Sequence, residues 1–203
     1  MQRLASPRVV ETVLPMKRWI QIWVGLTVLA VGNLAAREEF LPLTETRSVS
    51  ITVPDGFSYK AGANAQGALG IVLTNEKDRI NLTVTFEPDL DGQFRTERGR
   101  TERLHAEFSN YVEGSKENAM QFTELETKVG AATYCVFTDA KLIGKPPAEF
   151  PAGEYLNLTV GVKAWSGIVA TFTLFSNDTT SAHYQALMKT LRESIHEKPA
   201  PLL

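Results

Sequence analysis

The residue types that most often do chemistry are sparse in this chain and poorly spaced for it. Three histidines (His105, His183 and His196) and a single cysteine, Cys135, make up the whole set. No spacing among the histidines suits a metal site, so each is expected at a solvated surface position. Cys135 lies in the strand-like run Thr133-Tyr134-Cys135-Val136-Phe137, with no neighbouring cation to lower its pKa. It reads as a small buried hydrophobe, not as a nucleophile. No serine sits in a Gly-x-Ser-x-Gly elbow and no glycine-rich phosphate loop is present. No catalytic residue, metal or cofactor is therefore expected. The alternative is a small exported hydrolase whose site is assembled from scattered residues such as Glu102, His105 and Cys135, since catalytic groups meet in space and not along the chain.

Three charged or irregular stretches are the other candidates. Arg95, Arg98, Arg100 and Arg103 stand beside Glu97, Glu102 and Glu107. Four guanidiniums suit a phosphate or acidic partner, but the interleaved carboxylates predict a self-paired, solvated helix face. Glu87, Asp89 and Asp91 alternate ahead of Gly92 as in a calcium loop, yet the twelfth position counted from Glu87 is Arg98, where that loop needs a glutamate. A polar turn is expected there. The segment from Gly144 to Gly153 is the longest irregular stretch between strands and carries Pro146, Pro147 and Pro151. Its prolines leave little entropy to lose on docking. Phe150, flanked by Pro147 and Lys145, is thus the candidate partner-binding anchor, against the plainer reading of a connector. Asn81, Asn157 and Asn177 match glycosylation acceptors, but two fall in strands and the third in a helix cap, so the matches read as coincidence.

The elements that would position these residues form a meander with two helices. Ser48–Val53 alternates with period two and ends at the turn Pro54-Asp55-Gly56, after which Phe57 and Tyr59 resume an extended segment. Residues 69–73 and 80–86 carry their apolar faces at odd and even numbers respectively, which demands a connection of even length through residues 75–78. Residues 156–162 and 168–174 are both apolar at even positions, which predicts an odd three-residue loop, Trp165-Ser166-Gly167, with Gly167 left-handed. Two further strands are expected at 121–128 and 131–139 around Gly130. Leu104, Phe108, Tyr111 and Val112 mark an amphipathic helix over about 94–112. Tyr184, Leu187, Met188, Leu191 and Ile195 mark a closing helix that begins near Asn177–Thr180 and stops at Pro199. Asn81, Thr83, Thr85, Asn157, Thr159, Thr171 and Thr173 make the second sheet face unusually polar, as though part of it meets solvent.

The N-terminus sets the compartment. Met16-Lys17-Arg18 precedes an apolar run from Trp19 to Val31 and the small-residue end Gly32–Ala36, the order of a secretory signal. The layout from Met16 suggests that translation starts there and not at Met1. No charge falls between Arg18 and Arg37, so an uncleaved segment of residues 19–36 would reach across a bilayer. Residues 1–36 are read as signal peptide or membrane anchor, and residues 37–203 as one α+β domain. Hydrophobic residues make up 43% and charged residues 22% of the 203-residue chain, enough apolar content for a core and too much for disorder. Formal net charge is −2, and the cations of the first 36 residues leave about −5 on the rest, a poor match for nucleic acid.

The Val53-Pro54-Asp55-Gly56-Phe57 opening, the mid-chain helix, the second meander and the closing Leu187–Ile195 segment together resemble the PsbP/Mog1/DcrB-like family over most of residues 47–197. That resemblance implies an antiparallel sheet of about six to eight strands flanked by two main helices. It also implies a non-enzymatic accessory or protein-binding role, periplasmic or secreted, with a protein partner in the cell envelope.

Overall fold

The computed structural model describes residues 36–44, 47–64 and 67–199; the signal or anchor segment lies outside them. Ten strands and two helices follow in order: β1 (Arg37–Pro42), β2 (Arg47–Val53), β3 (Ser58–Ala63), β4 (Leu69–Asn75), β5 (Ile80–Pro88), α1 (Glu97–Phe108), β6 (Thr123–Leu125), β7 (Ala131–Thr138), β8 (Asn157–Trp165), β9 (Ile168–Ser176), α2 (Ala182–Lys189) and β10 (His196–Pro199). They build a seven-stranded sheet in the order β3-β4-β5-β9-β8-β7-β6 and a three-stranded sheet β1-β2-β10. Every pairing is antiparallel. The α+β class and the two main helices expected from the sequence are both present.

The first hairpin obeys its parity. Leu69 pairs with Phe86, Ile71 with Val84 and Leu73 with Leu82, and the loop between Asn75 and Ile80 is four residues long. The second does not. Trp165 pairs with Ile168, so the loop is the two residues Ser166-Gly167, both at positive φ (44° and 78°). That is the mirror-image turn that suits the twist of a tight hairpin. Ser166 and the left-handed Gly167 lie in the turn as expected, while Trp165 belongs to β8. The even-numbered residues of β8 and β9 therefore point to opposite faces. Leu158, Val160 and Val162 pack under α1 with Leu104, Phe108, Cys135 and Phe137. Ile168, Ala170, Phe172 and Leu174 join the larger core on the other face. All nine residues of β8 are buried, the polar Asn157, Thr159 and Lys163 of its odd-numbered face included, so polarity no longer marks which face turns out and the parity rule lost its footing. Gly161 sits opposite Phe172, whose ring would be 2.0 Å from a Cβ at that position.

The larger core is closed by α2 and the small sheet. Tyr184, Leu187, Met188 and Leu191 meet Val49, Ile51, Val53 and the inner residues of β4, β5 and β9. Helix α2 is shorter than the apolar stripe predicted. Ser181 caps it, accepting from the Tyr184 amide at 3.2 Å, and after Lys189 the chain widens into a π-turn, Thr190–Ser194. The residues expected to finish the helix become β10, which pairs with β2. Arg47 links the parts: it grips Glu197 through Nε and Nη2 (2.6 and 3.0 Å) and donates to the Ser166 carbonyl of the β8–β9 turn. Helix α1 starts at the cap Thr96, whose hydroxyl accepts from the Gly99 amide, and lies mainly over β7 and β8. No described helix is long and apolar enough to cross a membrane.

Candidate functional site

The proline-rich loop places its residues differently from expectation. Phe150 is 6% exposed and turned inward, so it is not an outward anchor; Lys145 and Pro147 are exposed, and Ile143 is the large apolar side chain the loop turns outward. Arg79 fastens the loop from the β4–β5 turn, donating to the Pro147 carbonyl at 2.7 Å and to that of Glu154 at 3.1 Å.

The arginine-rich helix is only partly the self-paired surface expected. Arg98 pairs outward with Glu102 at 2.6 Å, but Arg100 is buried. Its guanidinium spans four partners: the Phe94 and Arg95 carbonyls, the Thr133 hydroxyl (2.8 Å) and Glu124 (2.8 Å). Glu124 in turn accepts from Thr133, and with four of its five N–H donors engaged the Arg100 guanidinium pins α1 to β6 and β7. Spacing could have flagged Arg100, since it stands four residues before Leu104 and eight before Phe108 on the buried stripe.

Glu102, His105 and Cys135 do not meet. Glu102 faces Arg98, His105 stands edge-on to Phe122 at 5.5 Å, and Cys135 is sealed beneath α1, where burial pushes its thiol pKa up to about 12. His183 keeps a solvated position, its side chain 39% exposed, and there pairs with Asp78 through Nδ1 at 2.7 Å, edge-on to Phe57. Asp89, expected in a polar turn, is 3% exposed, and neither carboxylate oxygen has a hydrogen-bond partner. Among the described residues no group of three or more His, Cys, Asp or Glu is placed to hold a metal ion.

The buried Lys163 on β8 was not anticipated. Its Nζ donates to the Leu191 and Ile195 carbonyls (2.8 and 2.9 Å) and lies 5.5 Å from the Trp165 ring centroid. It caps the C-terminal end of the closing helical segment, where carbonyls lack intrahelical donors. Burial without a carboxylate partner lowers its pKa to about 8.

What remains open is a sheet face. Because α1 lies mainly over β7 and β8 and reaches β9 and β5 only at their Val169 and Glu87 ends, most of the same side of β9, β5 and β4 is left without a covering element among the described residues. Its floor consists of registered pairs: Asn81 opposite Phe175, Thr83 opposite Thr173, and Thr85 opposite Thr171, with Thr74 and Val72 on β4 beside Asn81 and Thr83. All of these are half-buried. The polar face expected from the sequence is thus present, without Asn157 and Thr159. Both of those are buried on the opposite side, where the Thr159 and Tyr184 hydroxyls bond at 2.8 Å.

The two ends of this floor differ. At one, the Tyr155 ring lies 5.3 Å from Phe175, with the Arg79 guanidinium 5.9 Å from the Tyr155 centroid. At the other, a shallow cleft of about 530 Å³ is lined by Glu87, Phe94, Glu102, Arg103 and Glu107. There Arg103 holds Glu87 through both carboxylate oxygens (3.0 Å each) and Glu107 at 2.8 Å, over the face of Phe94. Burial, with Glu87 adding repulsion, raises the Glu107 pKa despite Arg103. No family model, curated protein or solved structure matches this chain.

Proposed function

We propose that this chain is an extracytoplasmic, non-enzymatic accessory module of the PsbP/Mog1/DcrB-like kind, and that it acts by binding a component of the cell envelope. The observation that carries the reading is the uncovered floor of the large sheet: one face is closed by α2 and the small sheet, while the other offers registered, uncharged side chains across β4, β5 and β9. Rigid strands hold those side chains in place, which is what a recognition surface requires. The arginines at the two ends of the floor are engaged in structural bonds, Arg103 with two glutamates and Arg79 with loop carbonyls, and the exposed Lys60 of β3 flanks it opposite Val72. Export is supported by the basic flank, apolar run and small-residue end of residues 16–37.

Expression from Met16 with a C-terminal tag, followed by fractionation and crosslinking in intact cells, tests both halves of the proposal. The expected result is tagged protein outside the inner membrane or on its outer surface, crosslinked to an envelope component. Tagged protein confined to the cytoplasmic fraction would sink the export reading.

A further inference from the structure

Resting on that reading, we propose that the open floor of β4, β5 and β9 is a binding site for a neutral oligosaccharide. The argument begins with what the floor offers. Thr83 and Thr173 form one rung, Thr85 and Thr171 the next, and Asn81 continues the row beside Thr74. Rungs on one strand repeat at about 6.7 Å and neighbouring strands lie about 4.8 Å apart, so the hydroxyls form a regular grid. Each threonine presents a methyl beside its hydroxyl, and each hydroxyl can both donate and accept. Pyranose rings pair with such a surface group for group, their C–H faces on the methyls and their hydroxyls on the Oγ1 atoms. The Thr83 hydroxyl has only a long 3.3 Å contact to Asn81, whereas the Oγ1 of Thr171 is shielded from solvent, so the second rung presents the Thr85 side chain and the Thr171 methyl.

The row ends on aromatic rings. Tyr155 and Phe175, tilted 39° to each other, form a platform of the sort against which the apolar face of a sugar packs. From Asn81 to Glu87 the floor runs for seven residues of β5, roughly 20 Å, a length that spans several sugar rings. Charge then separates the possible occupants. Across β4, β5 and β9 no ionisable side chain stands on the rungs between Asn81 and Thr85, and Lys60 of β3, exposed opposite Val72 at the edge of the Thr83 rung, is a single cation, so a polycation finds no counter-charge and a polyanion only one. Arg103 and Arg79 at the two ends are already engaged. A flat apolar protein surface would strip water from the threonine hydroxyls without replacing their bonds, at a cost for each buried hydroxyl. A polyhydroxylated neutral ligand meets each requirement. The β-branched floor residues also have stiff χ1 angles, so little side-chain entropy is lost when the ligand lands.

The test titrates the purified full chain, by calorimetry, with four neutral hexasaccharides: cellohexaose, maltohexaose, xylohexaose and chitohexaose. A hexagalacturonate serves as the anionic comparison. The expected result is binding of at least one neutral hexamer in the micromolar to millimolar range, weakened by about tenfold in the double variant Thr83→Val with Thr173→Val. Those changes keep shape and strand preference, and the melting temperature reports whether the fold is intact. Tyr155→Ser, which removes half of the aromatic platform, gives a second readout should the double variant melt early. Silence from all four neutral sugars, tighter binding of the galacturonate, or binding unchanged in both variants would overturn the proposal. If the sugars are silent but crosslinking captures an envelope protein that the double variant loses, the binding-module reading survives and the ligand class is wrong. If neither sugar nor protein depends on the floor, both fail.

Discussion

Lys163 shows how one buried side chain sets a pH response. Its pKa is lowered from 10.5 to about 8 by burial. Between those values the unfolded chain holds the proton and the folded chain does not, so stability rises with pH across that window. The slope approaches about 1.4 kcal/mol per pH unit at its steepest. Cys135 acts in the opposite direction. Its thiol is raised from 9.0 to about 12, so above pH 9 the unfolded chain loses a proton that the folded chain keeps, and stability falls. The window from pH 8 to 9 therefore isolates the lysine. Urea unfolding should show a midpoint that climbs between these two pH values in the native chain and stays level in Lys163→Met. A native midpoint that falls over this interval would contradict the buried-amine account. The same burial makes Cys135 inert: at pH 7.5 without denaturant, a thiol reagent should label it only at the rate of unfolding. Rapid labelling would show that α1 does not seal it.

At the scale of elements, the closing segment tests whether packing or local preference holds the fold. Leu191 is 1% exposed and lies in the π-turn, not in regular α-helix, yet it belongs to the same core as Ile51 and Leu82. Leu191→Ala should cost about 2–5 kcal/mol in urea unfolding, the range for a core leucine. A loss below about 0.5 kcal/mol would mean that the segment is not docked. Elements with one apolar face were legible in the sequence: β2, the β4–β5 hairpin with its register, and the stripes of both helices. The β8–β9 register was not, because β8 buries its polar Asn157, Thr159 and Lys163 along with its apolar face, so polarity does not tell which side of the strand its neighbour's apolar residues share. Strands β1 and β10 were missed for a different reason. Arg37–Pro42 and His196–Pro199 show no strand pattern of their own and become strands by pairing with either edge of β2. As for the candidate site, the threonines of β5 and β9 were visible as a polar face. Which of them share that face depended on the register, and Phe150, predicted outward, turned in.

At the scale of the whole molecule, the small sheet fixes where the folded domain must begin. Arg37 is the first residue of β1 and pairs with Val53; the register runs without a break to Pro42 opposite Ser48. Leu41 enters the main core alongside Val49 and Ile51, so β1 is part of the seal over the larger core. A cut after Leu43 would remove that strand, expose one edge of β2 and open the core beneath it. A cut just before Arg37 costs the domain nothing, and Gly32-Asn33-Leu34-Ala35-Ala36 provides the small residues that a signal peptidase reads. The mature protein should therefore begin at Ala36 or Arg37, as N-terminal sequencing of protein from its native envelope would show. Recovery of an intact N-terminus in the membrane pellet would make residues 19–36 an anchor instead. The anchor would then join the domain directly at Arg37, the β1 end beside the Pro54–Phe57 turn, without a spacer. A mature chain beginning beyond Pro42 would contradict the role given to β1, because the sheet that closes the core would lack a strand.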